Sequence, residues 1–354
     1  MENFLESSGN GLKNSFRRRF YSMLKLGIIG TNWITQQFVE AAAASKEYEL
    51  TSVYSRHEES GKSFADKNGG QVYTDLDKFF NDGDFEVVYI ASPNSLHFAQ
   101  TLKAIDAGKQ IIVEKPIVSN PDEFAQMKAA LAEHPEIHVF EAARHIHEHN
   151  FRAIRKQLAS METISGATLT YMKYSSRYDE YLAGKDPNVF TTTFSGGALQ
   201  DLGVYVVYDA VTWFGKPNRV HYYATPLRTG ADGKGVAVLG YDGFDVTLNI
   251  GKNTNSYLPS EIYGVKDTIV MDNAAELTSV IYHAADGSTK RISEEPDDNP
   301  MIAEAKDFAT VINDPKNPDN VRHYQTWLHL SEIVNSVLFD LRRKASIVFP
   351  ADNK

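Results

Sequence analysis

Leu24 to Ala44 has the sequence LKLGIIGTNWITQQFVEAAAA, in which an apolar run meets a glycine and continues into a helical pattern. The run Leu24–Ile29 predicts a buried strand, and apolar residues at helical spacing over Trp33–Ala44 predict a helix. A strand and a helix joined by a short glycine turn are the first unit of a repeating strand, helix, strand pattern. This stretch therefore predicts a parallel sheet with helices packed on its faces.

The same alternation continues to about residue 143. Further strands are predicted at 49–54, 85–91, 110–114 and 137–140, and further helices at 59–67, 76–80, 95–107 and 122–133. Beyond Ala143 the predicted strands are longer and lack intervening helices, as at 164–175, 220–225 and 235–250, which is typical of an antiparallel sheet. We therefore predict an α/β chain with a doubly wound parallel sheet over 23–143 and an α+β domain with a mostly antiparallel open sheet over 144–354.

Charge and composition limit the partners of this chain. Its 354 residues are enough for two cores, and 36 Lys and Arg against 46 Asp and Glu give a formal net charge of −10. A negative chain is not attracted to nucleic acid or anionic membranes, and no apolar stretch approaches the roughly 20 residues that span a bilayer. The absence of cysteine excludes disulfides, thiolate metal sites and cysteine nucleophiles. We expect a cytoplasmic protein without nucleic-acid or membrane partners.

Residues 1–22 differ from the rest of the chain. They are rich in Asn, Ser, Gly and Arg and include Arg17-Arg18-Arg19. A secretory signal needs an apolar core after its basic end, and none precedes Met23. We predict that this segment is a disordered extension and that Met23 is the natural start.

The glycine turn after the first strand is a candidate dinucleotide site. A full GxGxxG pattern would begin at Gly30, but Asn32 and Thr35 replace its second and third glycines. The second glycine of the pattern lets the backbone approach a pyrophosphate closely. The Asn32 side chain crowds that contact unless its amide donates to a phosphate oxygen. The motif alone is weak, because a strand and a helix joined by glycine occur in many folds.

The end of the second strand indicates which nucleotide would bind. An acidic residue there binds the ribose 2′-hydroxyl of NAD, whereas this chain has Ser55 followed by Arg56. A hydroxyl and a cation suit a 2′-phosphate, so we expect NADP to be preferred. Glu58 and Glu59 follow closely and could reach a ribose, which leaves NAD as the weaker alternative.

Lys115 follows the apolar run Gln110–Val113 and lies between Glu114 and Pro116. Proline has no amide hydrogen and ends strand pairing, so the lysine is presented at the carboxyl edge of the sheet. Ligands bind at that edge in open parallel sheets. An isolated Glu-Lys-Pro is more often a solvated turn, and the neighbouring segments decide between these interpretations.

Three segments in order carry a resemblance to a known family. They are Ala91-Ser92-Pro93-Asn94-Ser95-Leu96-His97, Glu114-Lys115-Pro116 and Gly196-Gly197-Ala198-Leu199-Gln200-Asp201-Leu202-Gly203-Val204-Tyr205. With the Gly30 turn before them, they resemble the Gfo/Idh/MocA family of NAD(P)-dependent oxidoreductases over nearly the whole chain from Met23. The resemblance implies an N-terminal Rossmann domain and a C-terminal α/β domain whose open sheet often forms a dimer interface. We therefore expect a homodimer or a higher homo-oligomer.

The resemblance also implies site residues. Lys115 matches the family lysine between nicotinamide and substrate, often before a cis proline, and Asp201 matches the substrate-orienting aspartate. Tyr205 stands where many members have histidine; the glucose-fructose oxidoreductase and dihydrodiol dehydrogenase branches have tyrosine there, so this chain looks closer to them. The predicted cofactor residues are Gly30, Thr31, Asn32, Trp33, Ser55, Arg56, Ser92, Pro93, Asn94, His97, Glu114 and Lys115.

The chemistry of the three residues agrees with these roles. On one helix, the i, i+4 spacing of Asp201 and Tyr205 directs both side chains to one cleft. Hydride removal from a carbinol leaves a hydroxyl proton to take up, and a free phenol, which titrates near pH ~10, is a poor base. A nearby ammonium at Lys115 would favour the phenolate. Without the family motif, a core tyrosine and a helix-capping aspartate would be the better interpretation.

The residues after the last predicted strand of the parallel sheet include His145, His147 and His149. Histidines two apart in a strand face the same way and could bind a metal, but carboxylates with ligand spacing are scarce nearby, so we predict no metal site. The resemblance places substrate contacts after this strand, which makes His147 a candidate. Arg177 and Tyr178, at the end of the first long strand, are further candidates.

These observations predict an oxidoreductase that moves hydride between NADP(H) and a hydroxyl or carbonyl of a small sugar, polyol or cyclic diol, with Tyr205 donating the proton in reduction. The alternative is a non-catalytic dinucleotide-binding regulator on the same scaffold. The altered glycine pattern at Asn32 and Thr35 favours the regulator, and the complete set of Lys115, Asp201 and Tyr205 favours the enzyme more strongly.

Overall fold

The computed structural model of the protein describes residues 22–353. The predicted disordered extension, apart from Ser22, lies outside these residues. Among the helices of residues 22–353, none is both long and apolar enough to cross a membrane.

Six parallel strands form the first sheet, in the order β3-β2-β1-β4-β5-β6. They are β1 (Leu24–Ile29), β2 (Tyr48–Tyr54), β3 (Gln71–Tyr73), β4 (Val87–Ile90), β5 (Gln110–Glu114) and β6 (Val139–Ala142). The helices between them are α1 (Trp33–Ser45), α2 (Glu58–Asn68), α3 (Leu76–Asp82), α4 (His97–Asp106) and α5 (Pro121–Glu133). This arrangement confirms the predicted Rossmann-type sheet. The strand order reverses between β1 and β4, and ligands bind at such a switch point in open sheets.

The central strands are apolar along their whole length because helices cover both faces of the sheet. All four residues of β4 are fully buried, which explains why the sequence shows a continuous apolar run rather than an alternating one. Sequence analysis did not predict β3, a three-residue edge strand that is only partly buried.

Eight strands form the second sheet, in the order β14-β13-β12-β11-β7-β10-β9-β8. They are β7 (Gly166–Met172), β8 (Arg219–Pro226), β9 (Asp232–Gly240), β10 (Asp245–Gly251), β11 (Ser260–Tyr263), β12 (Thr268–Met271), β13 (Val280–His283) and β14 (Thr289–Arg291). Strands β7 and β10 pair in parallel, and the other pairs are antiparallel. The sheet is therefore mostly antiparallel, as predicted.

The predicted strand at 235–250 is wrong in one respect, because it is two strands, β9 and β10, joined by a tight turn. Gly243 lies in that turn at a φ of +87°, a left-handed conformation that glycine adopts without steric cost. Asp242-Gly243 is a hairpin signal, and the apolar alternation on either side concealed it.

The prediction that helices are absent between the strands after Ala143 is also wrong. The structure has α6 (His149–Leu158), α7 (Arg177–Leu182) and α8 (Val204–Phe214) before β8, and α9 (Ile302–Asn313) and α10 (Pro318–Lys344) after β14. Helix α6 buries Phe151 and Ile154, three residues apart, among charged neighbours. His147 therefore lies in a short 3-10 turn and His149 begins a helix, so these histidines do not share a strand face.

Helix α9 returns to the first sheet. Its Ala305 and Phe308 belong to the same buried cluster as Leu26 and Phe38, and the Tyr48 hydroxyl donates to the Ala305 carbonyl at 2.9 Å. A segment near the C-terminus thus completes the core of the N-terminal sheet. The division of the chain into domains at residue 143 stays a prediction.

Glu141 on β6 joins the two halves of the molecule. One carboxylate oxygen accepts from the backbone N–H of Ile117 at 2.9 Å, just beyond the end of β5, and the other accepts from the hydroxyl of Tyr208 on α8. Burial raises the pKa of Glu141 to about 7, although the hydrogen bonds from Tyr208 and Ser331 oppose this shift.

We expect the free energy of unfolding of Glu141→Gln to fall less than that of the natural protein as the pH rises from about 4.5 to 7. Because the pKa is raised on folding from an unfolded value of about 4.3, the folded protein holds a proton that the unfolded chain has lost. The Glu141 contribution is complete below the unfolded pKa and is lost as pH rises through the folded pKa, by up to about 4 kcal/mol. Urea unfolding from pH 4.5 to 8 measures this slope.

The exposed Glu49→Gln in β2 is the control for that measurement and should leave the slope unchanged. Burial also raises the pKa of Glu148 to about 7, so part of the slope persists in both variants. Equal slopes in Glu141→Gln and the natural protein would contradict the expectation.

Candidate active site

The glycine turn joins β1, α1 and the end of β4. Gly30 has a φ of +105°, and a Cβ there would lie 2.8 Å from the Ala91 carbonyl oxygen, so a side chain is excluded. The Asn32 Oδ1 accepts from the N–H groups of Ile34 and Thr35 at 3.0 and 3.1 Å, and its Nδ2 donates to the Ala91 carbonyl at 2.9 Å. The amide expected to donate to a phosphate is therefore engaged within the protein. Phosphate binding by Asn32 stays a prediction.

The other residues of this turn lie near the surface. Thr31 is partly buried, and Trp33, the first residue of α1, is 75% exposed. The turn thus presents a helix N-terminus and an exposed aromatic ring at the switch point of the sheet.

The end of β2 presents groups suited to either nucleotide. Ser55 is buried and its Oγ lies 2.8 Å from the Ser60 Oγ, whereas Arg56 is exposed. Glu58 and Glu59 follow in the first turn of α2, where Glu58 pairs with Lys62 at 2.7 Å. Arg56, predicted to bind a 2′-phosphate, and the carboxylates of Glu58 and Glu59, which suit a ribose hydroxyl, therefore lie at the same edge of the first sheet.

His97 joins the ends of β4 and β5. Its ring is 1% exposed, with Nδ1 2.9 Å from the Pro116 carbonyl oxygen and Nε2 2.9 Å from the Ser92 carbonyl oxygen. Burial lowers the pKa of His97. These two contacts of the His97 ring hold the turn that follows Lys115 in place. A role for His97 in cofactor binding stays a prediction.

Other residues after β4 are tied to their surroundings in a similar way. The Ser92 Oγ donates to Gln100 Oε1 at 2.6 Å, Pro93 is partly buried, and the Asn94 amide donates to the Ser195 carbonyl at 3.0 Å. The last contact links the first sheet to the segment that precedes Asp201.

Lys115, Asp201 and Tyr205 come together at the end of β5. The peptide bond from Lys115 to Pro116 is cis, and the Lys115 Nζ lies 3.4 Å from Asp201 Oδ1 and 5.2 Å from the centre of the Tyr205 ring. The preceding Glu114 is buried and accepts from the Tyr89 hydroxyl at 2.6 Å. The predicted cation, acid and phenol are thus neighbours.

The local charges keep Lys115 protonated. Burial by itself lowers the pKa of this ammonium, but Tyr205, Glu114 and Tyr171 favour the charged form more strongly, so the pKa of Lys115 is raised. At neutral pH the residue is therefore a hydrogen-bond donor and a cation rather than a base.

Asp201 and Tyr205 lie on one continuous helical segment. Residues Leu199–Gly203 form a π-helical turn that leads directly into α8, and such turns are frequent at functional sites. The start of this segment is held by Asp232, which accepts from the Leu199 N–H at 2.7 Å. The i, i+4 placement predicted for Asp201 and Tyr205 is thus realised through a π turn rather than a regular helix.

Three further residues of this group, Lys252, Arg144 and Tyr171, were not predicted from the sequence. Lys252 is 4% exposed and its ammonium forms an ion pair with Asp201 Oδ2. The Arg144 guanidinium carbon lies 5.7 Å from the Tyr205 ring centre, and the Tyr171 ring meets that ring edge-on at 5.4 Å. For Lys252 a signal exists: it continues the inward-facing series of β10, in which alternate residues point to the core.

The three predicted substrate residues have neighbours other than Lys115, although Tyr178 also packs on Phe190, over whose ring the Lys252 ammonium lies. His147 is 2% exposed, lies 2.8 Å from Asp307 and packs on Trp327. Arg177 is exposed and pairs with Glu180 at 2.7 Å, and Tyr178 stacks on Tyr181. No contact described within residues 22–353 joins these three to the Lys115 group, so their role in substrate binding stays a prediction.

Metal-binding geometry is absent from the described residues. Within 22–353, no group of three His, Asp or Glu side chains could hold a metal ion.

Comparison with known proteins adds to this geometry. The model of the GFO_IDH_MocA family, described as "Oxidoreductase family, NAD-binding Rossmann fold", matches residues 24–142. The chain is 37% identical over 332 residues to scyllo-inositol 2-dehydrogenase (NADP(+)) IolU of Bacillus subtilis (strain 168), covering 93% of this chain and 99% of the relative. It is 24% identical over 348 residues to trans-1,2-dihydrobenzene-1,2-diol dehydrogenase of Mus musculus, covering 94% and 99%.

A solved structure shares the fold. KijD10, a 3-ketoreductase from Actinomadura kijaniata in complex with NADP and TDP-benzene, superposes with a TM-score of 0.78 at 20% identity, covering 91% of this chain and 98% of that chain. Because 37% identity extends over nearly the full length of a curated relative, the family is established, and the chain belongs to the Gfo/Idh/MocA family of NAD(P)-dependent oxidoreductases.

Proposed function

We propose that the protein transfers hydride between NADP(H) and a hydroxyl or carbonyl group of a small sugar, polyol or cyclic diol. The observation that carries this proposal is the meeting of Lys115, Asp201 and Tyr205 at the carboxyl edge of the first sheet. The names of relatives that act on scyllo-inositol and on a dihydrodiol support the substrate class.

The residues at the switch point fit a dinucleotide. Gly30 has no side chain where a Cβ would collide with the Ala91 carbonyl, and α1 begins directly after the turn, so its N-terminus attracts phosphate. Ser55 and Arg56 would hold a 2′-phosphate at the end of β2. Bound NADP would supply the hydride acceptor in oxidation and the hydride donor in reduction.

Each of the three site residues has a separate role in proton transfer or substrate orientation. Tyr205 takes the hydroxyl proton as the phenolate in oxidation and donates a proton to the carbonyl oxygen as the phenol in reduction. The Lys115 ammonium stabilises the phenolate form, which is present before oxidation and after reduction. Asp201 orients the substrate hydroxyl through its carboxylate. Because Tyr205 is only 8% exposed, little bulk water competes for this proton.

The alternative is a dinucleotide-binding regulator without turnover. The replacement of a motif glycine by Asn32, whose amide is engaged with Ala91, is the observation that favours it. The complete charged set around Tyr205 favours catalysis, because a binding protein has no need for a buried ammonium beside a phenol.

We expect Lys115→Ala and Tyr205→Phe to lower NADPH turnover with a panel of sugar, inosose and diketone substrates by at least about 100-fold. Each variant removes the proton donor or the charge that supports it. NADPH fluorescence titration should show binding close to normal, and the exposed Tyr257→Phe is the control. Full rates in both variants would contradict the mechanism, and NADPH binding without turnover in the natural protein would favour the regulator.

We expect Arg56→Ala to weaken NADP binding by about tenfold or more and to change NAD binding little, because only NADP carries the 2′-phosphate. Titration of both nucleotides by fluorescence or calorimetry measures this difference. Arg155→Ala, an exposed arginine on α6, is the control. Equal losses for the two nucleotides would contradict the role of Arg56.

We also propose that the protein forms a homodimer through the open face of the second sheet. Tyr223 on β8 and Val236 on β9 are direct cross-strand partners, and they are 72% and 39% exposed. Two neighbouring apolar side chains on an uncovered sheet face suit a second copy of the same surface.

Sedimentation should give twice the mass of the chain, and Tyr223→Asp should shift the protein towards the monomer because it places a charge in the interface. The control is Tyr257→Asp, which changes a tyrosine that is 94% exposed outside the sheet. A natural protein that sediments only as a monomer would rule out the dimer.

A further inference from the structure

Asp201 is held between two lysines, one for each carboxylate oxygen. The Lys115 Nζ lies 3.4 Å from Oδ1, which is longer than the 2.7–2.9 Å typical of a charge-assisted hydrogen bond. The Lys252 ammonium forms the close ion pair with Oδ2. Each carboxylate oxygen of Asp201 therefore faces a different lysine, and the Lys115 ammonium also lies 3.4 Å from the Asp201 backbone carbonyl oxygen.

Lys252 is placed by the strand register rather than by a flexible loop. Val246, Leu248 and Ile250 are fully buried on the inward face of β10, and Lys252 is the next residue in that series. Its backbone is fixed on both sides, since its N–H donates to the Gly233 carbonyl and its carbonyl accepts from the Ser175 N–H, both at 2.9 Å.

A buried lysine at this position needs a partner. Burial and the charge of Lys115 lower the pKa of Lys252, and the Asp201 carboxylate is the opposite charge that its ammonium contacts. An apolar residue such as those that precede it in β10 would fill the same space without this cost. Packing alone therefore does not explain why a lysine occupies this position.

We propose that Lys252 is a positioning residue, which binds one oxygen of Asp201 and thereby leaves the other oxygen for substrate and the Lys115 ammonium for Tyr205. This inference rests on the proposed function for its effect on turnover. The effect on the charges of the site is independent of that function.

Loss of the Lys252 charge has a direct consequence for Lys115. Asp201 would then have Lys115 as its neighbouring cation, and the 3.4 Å separation would close into a direct ion pair. Lys115 would be drawn away from the Tyr205 ring, now 5.2 Å away. Within residues 22–353, the charged and titratable groups that face Lys115 are Glu114 on β5, His97 at the start of α4, Arg144 and His145 after β6, Tyr171 on β7, Lys252 after β10, and Asp201 and Tyr205 on the helical segment.

The first test does not require turnover. The Lys115 ammonium is titrated by ¹⁵N NMR of lysine-labelled protein, with its signal assigned by its loss in Lys115→Arg. In Lys252→Met the pKa of Lys115 should rise by about one unit, because a like charge is removed and an opposite charge becomes available. Lys252→Arg keeps the charge and should leave the pKa near its natural value.

The control for this titration is Lys173→Met, an exposed lysine after β7 that pairs with Glu276, and it should change nothing. If Lys252→Met does not fold, Lys252→Gln removes the charge and keeps a hydrogen-bond donor. An unchanged titration of Lys115 in the neutral variant would overturn the proposal.

The second test separates positioning from a merely structural role. Lys252→Met should lower kcat by about 10-fold to 100-fold with little change in the KM for NADPH, and Lys252→Arg should restore much of the rate. Added to Asp201→Asn, Lys252→Met should cost no further activity, because both changes remove the same interaction. The proposal would be overturned if the activity losses of Asp201→Asn and Lys252→Met multiply in the double variant. Absence of turnover in the natural protein would overturn the proposed function, and the Lys115 titration would then decide whether Lys252 positions the charges of the site.

Discussion

The contacts of the Asp201 carboxylate with Lys115 and Lys252 join the edge of the first sheet to the helix that lies over the second, and the arrangement of the site depends on them. Lys115 and Asp201 are 86 positions apart in the chain and partly buried. Charges removed from water are tolerated when they are paired. The pairs of Asp201 with Lys252 and of Arg144 with Glu148 extend this constraint, so two sets of paired charges lie beside the Tyr205 ring.

Buried polar side chains hold the elements that carry those charges. His97 joins the ends of β4 and β5, Glu141 joins the turn after Lys115 to α8, and Asp232 fixes the start of the helical segment with Asp201. Each of these side chains contacts a backbone group of a neighbouring element. The side chains of the candidate site are therefore positioned through the backbone, which limits their freedom before any ligand binds.

Elements of this fold are predictable from the sequence where the local pattern of apolar residues is strong. The strands of the first sheet are predictable because burial on both faces makes them continuous apolar runs. The hairpin at Asp242-Gly243 is harder to detect because apolar alternation continues on both sides of it. Helix α6 is hidden for a different reason, since only Phe151 and Ile154 of its face are both apolar and buried and its stability comes from tertiary packing.

The sequence alone determined the parallel sheet and the glycine turn at Gly30, and it selected Lys115, Asp201 and Tyr205 as candidate site residues, because short-range patterns and ordered motifs carry that information. Only the tertiary structure decided that Lys252 binds Asp201, that Asn32 caps α1 and contacts Ala91, and that α9 completes the first core. These contacts join residues from distant parts of the chain. Their energies depend on burial and distance, which no local pattern of residues specifies.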